Sequence, residues 1–170
     1  MHPLVKLAKD TVERYIRERK IYEIPEEELT PELKERAGVF VCLKIRGDLR
    51  GCIGTFQPTE PTIAQETVRN AISAATCDPR FECIRPSELD ALEYTVDVLT
   101  EPVRISGTSE LDPRKYGVIV QAGSRRGLLL PDLEGVDTPE EQISIAMRKA
   151  GIPPGSVVDL FRFEVKRYEQ

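Results

Sequence analysis

The sequence has a single histidine, His2, and it stands at the amino terminus. A Cys–His pair or a Ser–His–Asp triad would have to recruit that residue, so both classes of nucleophilic catalysis are disfavoured. Cysteine is scarce as well. Cys42, Cys52, Cys77 and Cys83 include no C-x-x-C spacing, which argues against a zinc site of the usual Cys/His kind. Four cysteines so placed read as the thiols of a reduced cytosolic protein rather than as a disulfide framework. No apolar run approaches the length of a membrane span, and Met1-His2-Pro3 opens a charged amphipathic segment instead of a signal peptide. The expected location is cytoplasmic, with no membrane partner. G-x-G-x-x-G and P-loop patterns are missing, so a dinucleotide or NTPase site is not indicated. Positive charge is in deficit, with a net charge of −5 and a pI near 5.1, and there is no basic–aromatic platform. Nucleic acid is therefore not an expected partner.

The 170 residues and 40% hydrophobic content suffice for one domain with a real core, residues 1–170, either single or two-lobed. Leu4, Val5, Ala8, Val12, Tyr15 and Ile16 recur at helical spacing and predict an amphipathic helix over about residues 3–20. The acidic stretch from Tyr22 to Arg36 reads as a linker with a short helix start at Thr30-Pro31. Gly38 then opens a strand, with Val39, Val41, Leu43 and Ile45 on one face and Phe40, Cys42 and Lys44 on the other. Arg46-Gly47-Asp48 is a turn, and Leu49 begins the return strand of a hairpin.

That return strand carries Leu49-Arg50-Gly51-Cys52-Ile53-Gly54-Thr55, a cysteine between two glycines with an arginine beside it. Gly51 and Gly54 can take positive φ or admit a close neighbour where a Cβ would clash. A cationic neighbour such as Arg50 favours the thiolate of Cys52, the reactive form of cysteine. Thr55 adds a hydroxyl. The plainer reading is a tight bend in a strand with Cys52 packed as a small apolar side chain. Cys42 packs on the sheet in either case.

Thr62-x-x-Gln65 resembles a capping box, with Thr59 an alternative cap one turn earlier, and Ile63, Thr67, Val68, Ala71, Ile72 and Ala75 form the buried stripe of that helix. The signature thus lies just upstream of a helix N-terminus, a place suited to anions. Cys77-Asp78-Pro79-Arg80-Phe81 ends the helix. In one reading Asp78-Pro79 is a turn, Phe81 a core anchor and Arg80 the partner of a carboxylate. In the other, Arg80 reaches the Cys52 site and fixes a substrate carboxylate or phosphate.

Leu92 to Val98 alternates as a half-buried strand, and Val103-Arg104-Ile105 is a further extended piece. A second hairpin pairs Gly117–Gln121 with Gly127–Leu130 around a turn that holds Ser124, Arg125 and Arg126. Folded over Cys52, those arginines would add an anion-binding rim. Thr138-Pro139-Glu140-Glu141 starts a third helix with Ile143, Ala146, Met147 and Ala150 inward and Gly151 as its stop. Met147 is packing, not a metal ligand. Phe161, Phe163 and Val165 share one face of a closing strand. Helices interleaved irregularly with hairpins predict an α+β fold, a mostly antiparallel sheet flanked by helices.

Several ordered motifs also carry a resemblance. Leu49-Arg50-Gly51-Cys52-Ile53-Gly54 resembles the signature of the AMMECR-type family, whose prokaryotic members are called AmmeMemoRadiSam system protein A. Gly38-Val39-Phe40-Val41, Asn70-Ala71-Ile72, Asp78-Pro79-Arg80-Phe81, Arg126-Gly127-Leu128-Leu129-Leu130-Pro131 and Lys149-Ala150-Gly151 extend it over nearly the whole chain. The resemblance implies a larger and a smaller lobe, with the signature near a groove between them. It also implies a shared modification pathway with Memo-type and radical-SAM proteins. Two residues depart from the family pattern: Asp132 stands where relatives carry glutamine, and Met147 where they carry cysteine. The first makes Asp132 a further acid or base candidate, and the second removes a partner thiol.

Two functions follow. One is an enzyme with Cys52 as nucleophile or redox group and Asp78 as base. Arg50, Gly51, Gly54, Thr55, Arg80 and Arg126 would hold the substrate's negative charge. The other is a binding or adaptor module for a small anionic, nucleotide-like or peptide ligand, with Cys52 present for its size. Neither reading names a cofactor, and no metal site is expected.

Overall fold

A computed structural model describes residues 1–170. The fold is α+β, with two four-stranded antiparallel sheets and three helices. By internal contacts the chain divides into a larger unit, Met1–Val98 with Lys166–Gln170, and a smaller one, Leu99–Val165.

The larger unit opens with α1, Pro3–Glu18. His2 caps it: Nδ1 accepts from the Leu4 amide at 3.3 Å, and the ring stacks on Tyr168 with centroids 3.7 Å apart. The lone histidine is thereby spent on a helix end. Short 3₁₀ turns at Glu26–Glu28 and Glu32–Lys34 punctuate the acidic linker. Strands β1 (Val39–Ile45) and β2 (Asp48–Thr55) form the hairpin, followed by α2 (Ile63–Thr76) and β3 (Leu92–Leu99). With β8 (Val165–Glu169) they give the sheet order β2-β1-β3-β8, so β2 is an edge strand.

The expected faces of β1 are found. Val39, Val41 and Leu43 are fully buried among α1, α2 and β3 residues, while Phe40, Cys42 and Lys44 are half-buried on the opposite face. Burying that apolar face against two helices is what gives this unit its core. Two polar residues of α2 outside the expected stripe, Glu66 and Asn70, lie buried with it, and Ile72 is only half-buried.

The smaller unit contains β4 (Val103–Ile105), β5 (Gly117–Ala122), β6 (Arg125–Leu129), α3 (Pro139–Ala150) and β7 (Asp159–Phe163), in sheet order β4-β7-β5-β6. Its core joins Val118, Val120, Leu129, Ala146 and Ile152. Two expectations change here. The closing strand is two strands, because the chain leaves one sheet after Phe163 and enters the other at Val165. Arg125 and Arg126 are not in the second turn but on β6. Residues Gly123 and Ser124 alone connect the strands, with Ala122 opposite Arg125.

Candidate functional site

The signature begins with a register change. Ile45 faces Asp48 and Lys44 faces Leu49, but Leu43 faces Gly51 and Cys42 faces Cys52, so Arg50 is an extra residue. This bulge re-aims the Arg50 side chain. Its Nε and Nη2 donate to the two Glu88 carboxylate oxygens at 2.9 and 3.2 Å. Nη1 donates to the Glu82 carbonyl at 2.7 Å and Nη2 to that of Cys83 at 3.3 Å. The guanidinium is consumed in binding the 82–88 segment to the hairpin. The Arg50 hydrogen bonds hold the Glu88 carboxyl below its ordinary range, against the opposing effect of burial.

Cys52 and Cys42 are bonded to each other, with Cα atoms 4.0 Å apart. This corrects the expectation of four free thiols; only Cys77 and Cys83 are free, and both are exposed. The bulge is the cause. A hairpin with this turn and no extra residue would set Cys42 opposite Gly51 instead. The pair lies on the half-buried face, away from α2.

The backbone of Cys52 points outward from the sheet edge. Its N–H donates to Asp78 Oδ2 at 2.9 Å, and its carbonyl accepts from Arg80 Nη2 at 3.4 Å. Arg80 in turn donates to both Asp78 oxygens, through Nε at 3.1 Å and Nη2 at 2.8 Å, and its own N–H reaches Oδ1 at 3.0 Å. Asp78-Pro79-Arg80 therefore does for the edge of β2 what a neighbouring strand would do. Arg80 pairs a carboxylate, as the first reading has it, and that carboxylate is Asp78; it also reaches the Cys52 carbonyl. Hydrogen bonds from Arg80 hold the Asp78 carboxyl far below the usual range, against burial. A carboxylate so strongly held in its ionised form is a poor general base at neutral pH, so Asp78 positions Cys52 rather than taking a proton.

The glycines are used for packing, not for positive φ. A Cβ on Gly51 would overlap the Ala74 carbonyl of α2, and one on Gly54 would overlap the Phe40 ring. The space they leave is filled by the protein itself, so neither forms an open ligand cradle. Thr55 Oγ1 donates to Glu66 Oε1 and accepts from Asn70 Nδ2 at 3.1 Å.

Glu66 was not foreseen, because an acid within a helix is read as part of the solvated face. It is fully buried and also accepts from Thr59 N–H and Oγ1, each at 2.9 Å, and from Glu60 N–H at 2.7 Å. Burial raises its pKa, but the hydrogen bonds from Thr55, Glu60 and Thr59 outweigh it, and the net direction is down. The helix N-terminus expected to receive an anion is satisfied internally: the Glu35 carbonyl takes the Ile63 N–H, and Thr62 Oγ1 takes that of Gln65.

Phe81 is half-buried rather than a core anchor, with the Arg80 guanidinium 5.5 Å from its ring centre. In the smaller unit, Arg126 Nη2 donates to Gln121 Oε1 at 2.7 Å, across the β5–β6 ladder. Asp132 is exposed with φ 58°, and its N–H donates to the Pro113 carbonyl at 2.8 Å.

Sequence reasoning missed a groove in the larger unit. Ile21, Ile24 and Leu29 form one wall, and Val68 and Ile72 of α2 the other. Its volume is about 760 Å³, and Tyr22, Glu23, Glu60, Thr62, Gln65 and Arg69 complete the lining. Glu60 and Arg69 pair across 3.1 Å. The acidic linker supplies its apolar wall through three residues that follow no helical or strand period. The cavity meets the signature indirectly, since Glu66 fixes both Thr55 and the Glu60 backbone.

Comparison with known proteins places the chain. The AMMECR1 family model matches residues 5–170, and the chain belongs to the AMMECR1 family. A protein of Thermotoga maritima is 55% identical over 171 residues, covering 99% of this chain and 98% of its own length. A Clostridium acetobutylicum protein is 46% identical over 99% of this chain, which spans only 36% of that longer relative. Among solved structures, the uncharacterised protein PH0010 from Pyrococcus horikoshii matches with a TM-score of 0.89 at 35% identity. That match covers 98% of this chain and 89% of the Pyrococcus chain. No helix is long and apolar enough to cross a membrane.

Proposed function

We propose that this AMMECR1-family chain is a binding module whose ligand is a peptide segment with apolar side chains, received in the groove beside α2. The observation that carries the proposal is a contrast within one unit. The polar groups of the signature are engaged inside the chain, whereas the groove offers five aliphatic side chains to its interior. Mostly apolar walls with a few polar groups at the margin suit anchoring side chains of a peptide. A nucleotide or other strongly anionic ligand is disfavoured, because Glu23 and Glu60 line the groove and Arg69 is already paired with Glu60. The signature then serves the groove by position: Thr55 and Glu66 hold the 59–60 backbone at its margin.

The test is selection of random twelve-residue peptides on the native chain, followed by binding to Ile72→Asp. Peptides with apolar anchors should emerge and lose about tenfold or more in affinity on the variant. Absence of any enriched peptide, or equal binding to Ile72→Asp, would sink the proposal.

A second reading is an enzyme centred on Cys52, acting in a modification pathway with Memo-type and radical-SAM proteins. The observation favouring it is that the Cys52 sulfur lies on the half-buried sheet face, not in the core, where reduction of its bond to Cys42 would free it. Arg80, which reaches the Cys52 carbonyl, would be its substrate-binding cation. Loss of product formation in Cys52→Ala with groove binding intact would decide for this reading.

A further inference from the structure

We propose that Cys42 and Cys52 form a thiol–disulfide exchange site that reacts reversibly with a small-molecule thiol. The inference goes beyond both readings above, since it needs neither a ligand in the groove nor turnover of another substrate.

Three observations carry it. First, the two residues are register partners on adjacent strands and are bonded. The Cys52 N–H points to Asp78 rather than to β1, which marks Cys42 and Cys52 as a pair without mutual backbone hydrogen bonds, the closer kind of cross-strand pair. The ladder and the bulge hold the sulfurs together in either oxidation state, so closing the bond requires no rearrangement of the fold. Second, both residues are half-buried on the face away from the helices, and β2 is the sheet edge. Asp78 and Arg80 occupy that edge at Cys52, so a small thiolate approaches the sulfur from the half-buried face. Third, the lysine on this face stands closer in register to Cys42 than to Cys52. Lys44 lies two residues from Cys42 on the same face of β1 and makes no ion pair. Asp97, opposite Phe40, is neutralised by Arg167 at 2.8 and 2.9 Å. Glu93 is exposed and stands opposite Lys44. Asp78 and Arg80 hold the Cys52 backbone and compensate each other.

The chemistry follows from this asymmetry. An incoming thiolate attacks the Cys52 sulfur, the Cys42–Cys52 bond breaks, and Cys42 leaves as a thiolate beside the Lys44 ammonium. A second thiolate attacks the outer sulfur of the mixed disulfide and expels Cys52 as a thiolate. Two protons are taken up and the two external thiols leave joined as a disulfide. The protein gains two electrons and the small thiol loses them. The reverse reaction, with the small disulfide as oxidant, restores the bond.

Trypsin separates the four cysteines onto residues 37–44, 51–69, 70–80 and 81–104, so each can be followed by peptide mass spectrometry. The full native chain is equilibrated in oxidised glutathione, then in reduced glutathione, with acid quench and alkylation after each step. The expected result is a linked 37–44/51–69 pair in the oxidised buffer and alkylation of both peptides in the reduced buffer, without denaturant. Acid quench early in the reduction of the oxidised chain should trap glutathione on Cys52 rather than on Cys42. No variant is needed, so the test does not depend on any variant folding. The proposal is overturned if all four cysteines alkylate after oxidised glutathione, or if Cys52 links to Cys77 or Cys83. A 42–52 bond that yields to reduced glutathione only after unfolding overturns it too, as does early trapping of glutathione on Cys42.

Discussion

The hairpin and helix of the larger unit, β1-β2-α2, and those of the smaller unit, β5-β6-α3, solve one packing problem in the same way. Each return strand carries an Arg-Gly pair, Arg50-Gly51 or Arg126-Gly127. Each glycine sits under a helix, where a Cβ would overlap a backbone carbonyl, that of Ala74 in α2 or of Ala146 in α3. Each helix is capped by a threonine, Thr62 or Thr138, which accepts from the amide three residues on. What differs is the outer edge. On β2 a buried carboxylate and its arginine hold the Cys52 backbone, whereas on β6 the exposed Lys149 donates to the Leu128 carbonyl at 3.0 Å. One scaffold is therefore used twice, and the chemistry-bearing residues are concentrated on the first copy.

The largest effect should come from the shared feature. Gly51→Val and Gly127→Val each drive a side chain into helix backbone, which cannot yield as a flexible side chain could. Each is expected to cost about 3 kcal/mol or more, a large part of a domain's stability. Urea unfolding followed by circular dichroism reads both. Gly54→Ala should cost less, because its obstacle is the Phe40 ring, and adding Phe40→Leu should restore part of the loss. If either valine variant is as stable as the parent, the close helix approach is wrong for that unit.

The edges should differ next. Asp78→Ala removes the acceptor of the Cys52 amide and the partner of Arg80 from a site 5% exposed. The expected loss is about 2–3 kcal/mol, since bonds to an ionised and buried group are the strong ones. Lys149→Met removes a solvated counterpart on the other edge and should stay within about 0.5 kcal/mol. Hydrogen exchange sharpens the contrast: the Cys52 amide should lose protection in Asp78→Ala, and no β6 amide should follow it.

Acid should act on the larger unit. Asp78, Glu66 and Glu88 all have depressed pKa values in the fold, for the reasons given above. A depressed carboxyl contributes stability above its unfolded pKa, near 4, and the contribution falls away as pH drops toward the folded value. Urea midpoints should thus decline from pH 5 toward pH 3. Glu66→Gln should be less stable at pH 7 and show a shallower decline. An unchanged slope in that variant would remove Glu66 from the account.

Much of this was legible in the sequence, and the failures share a cause. The faces of β1, the two hairpins and the threonine caps follow from alternation and local cap chemistry. The bulge at Arg50 does not, since one extra residue beside a glycine leaves no mark on the apolar pattern. The disulfide it creates was hidden for the same reason. Glu66 reads as a solvated acid until its four donors are assembled from Thr55, Thr59 and Glu60. The division between β7 and β8 is silent because Phe161, Phe163 and Val165 keep one alternation through Glu164, with no glycine or proline to mark the change of sheet. Local rules describe elements; partners brought by tertiary structure decide what their polar residues do.

The smallest effect lies in the turns, where the two hairpins part company again. Arg46 and Gly47 have φ of 52° and 81°, so both connecting residues of the first hairpin are left-handed, as a type I′ turn requires. In the second, Gly123 has φ 60° while Ser124 does not take a positive value, the pattern of type II′. Only the first turn asks an ordinary side chain to occupy the left-handed region. Asparagine tolerates that region better than arginine, and Asn-Gly is the favoured type I′ pair. Arg46→Asn should therefore stabilise the chain by roughly 0.5 kcal/mol. Ser124→Asn, at a position with no such demand, should leave the urea midpoint unchanged. Equal gains from both would mean that the two turns are of one type, and the distinction drawn from their backbone would fail.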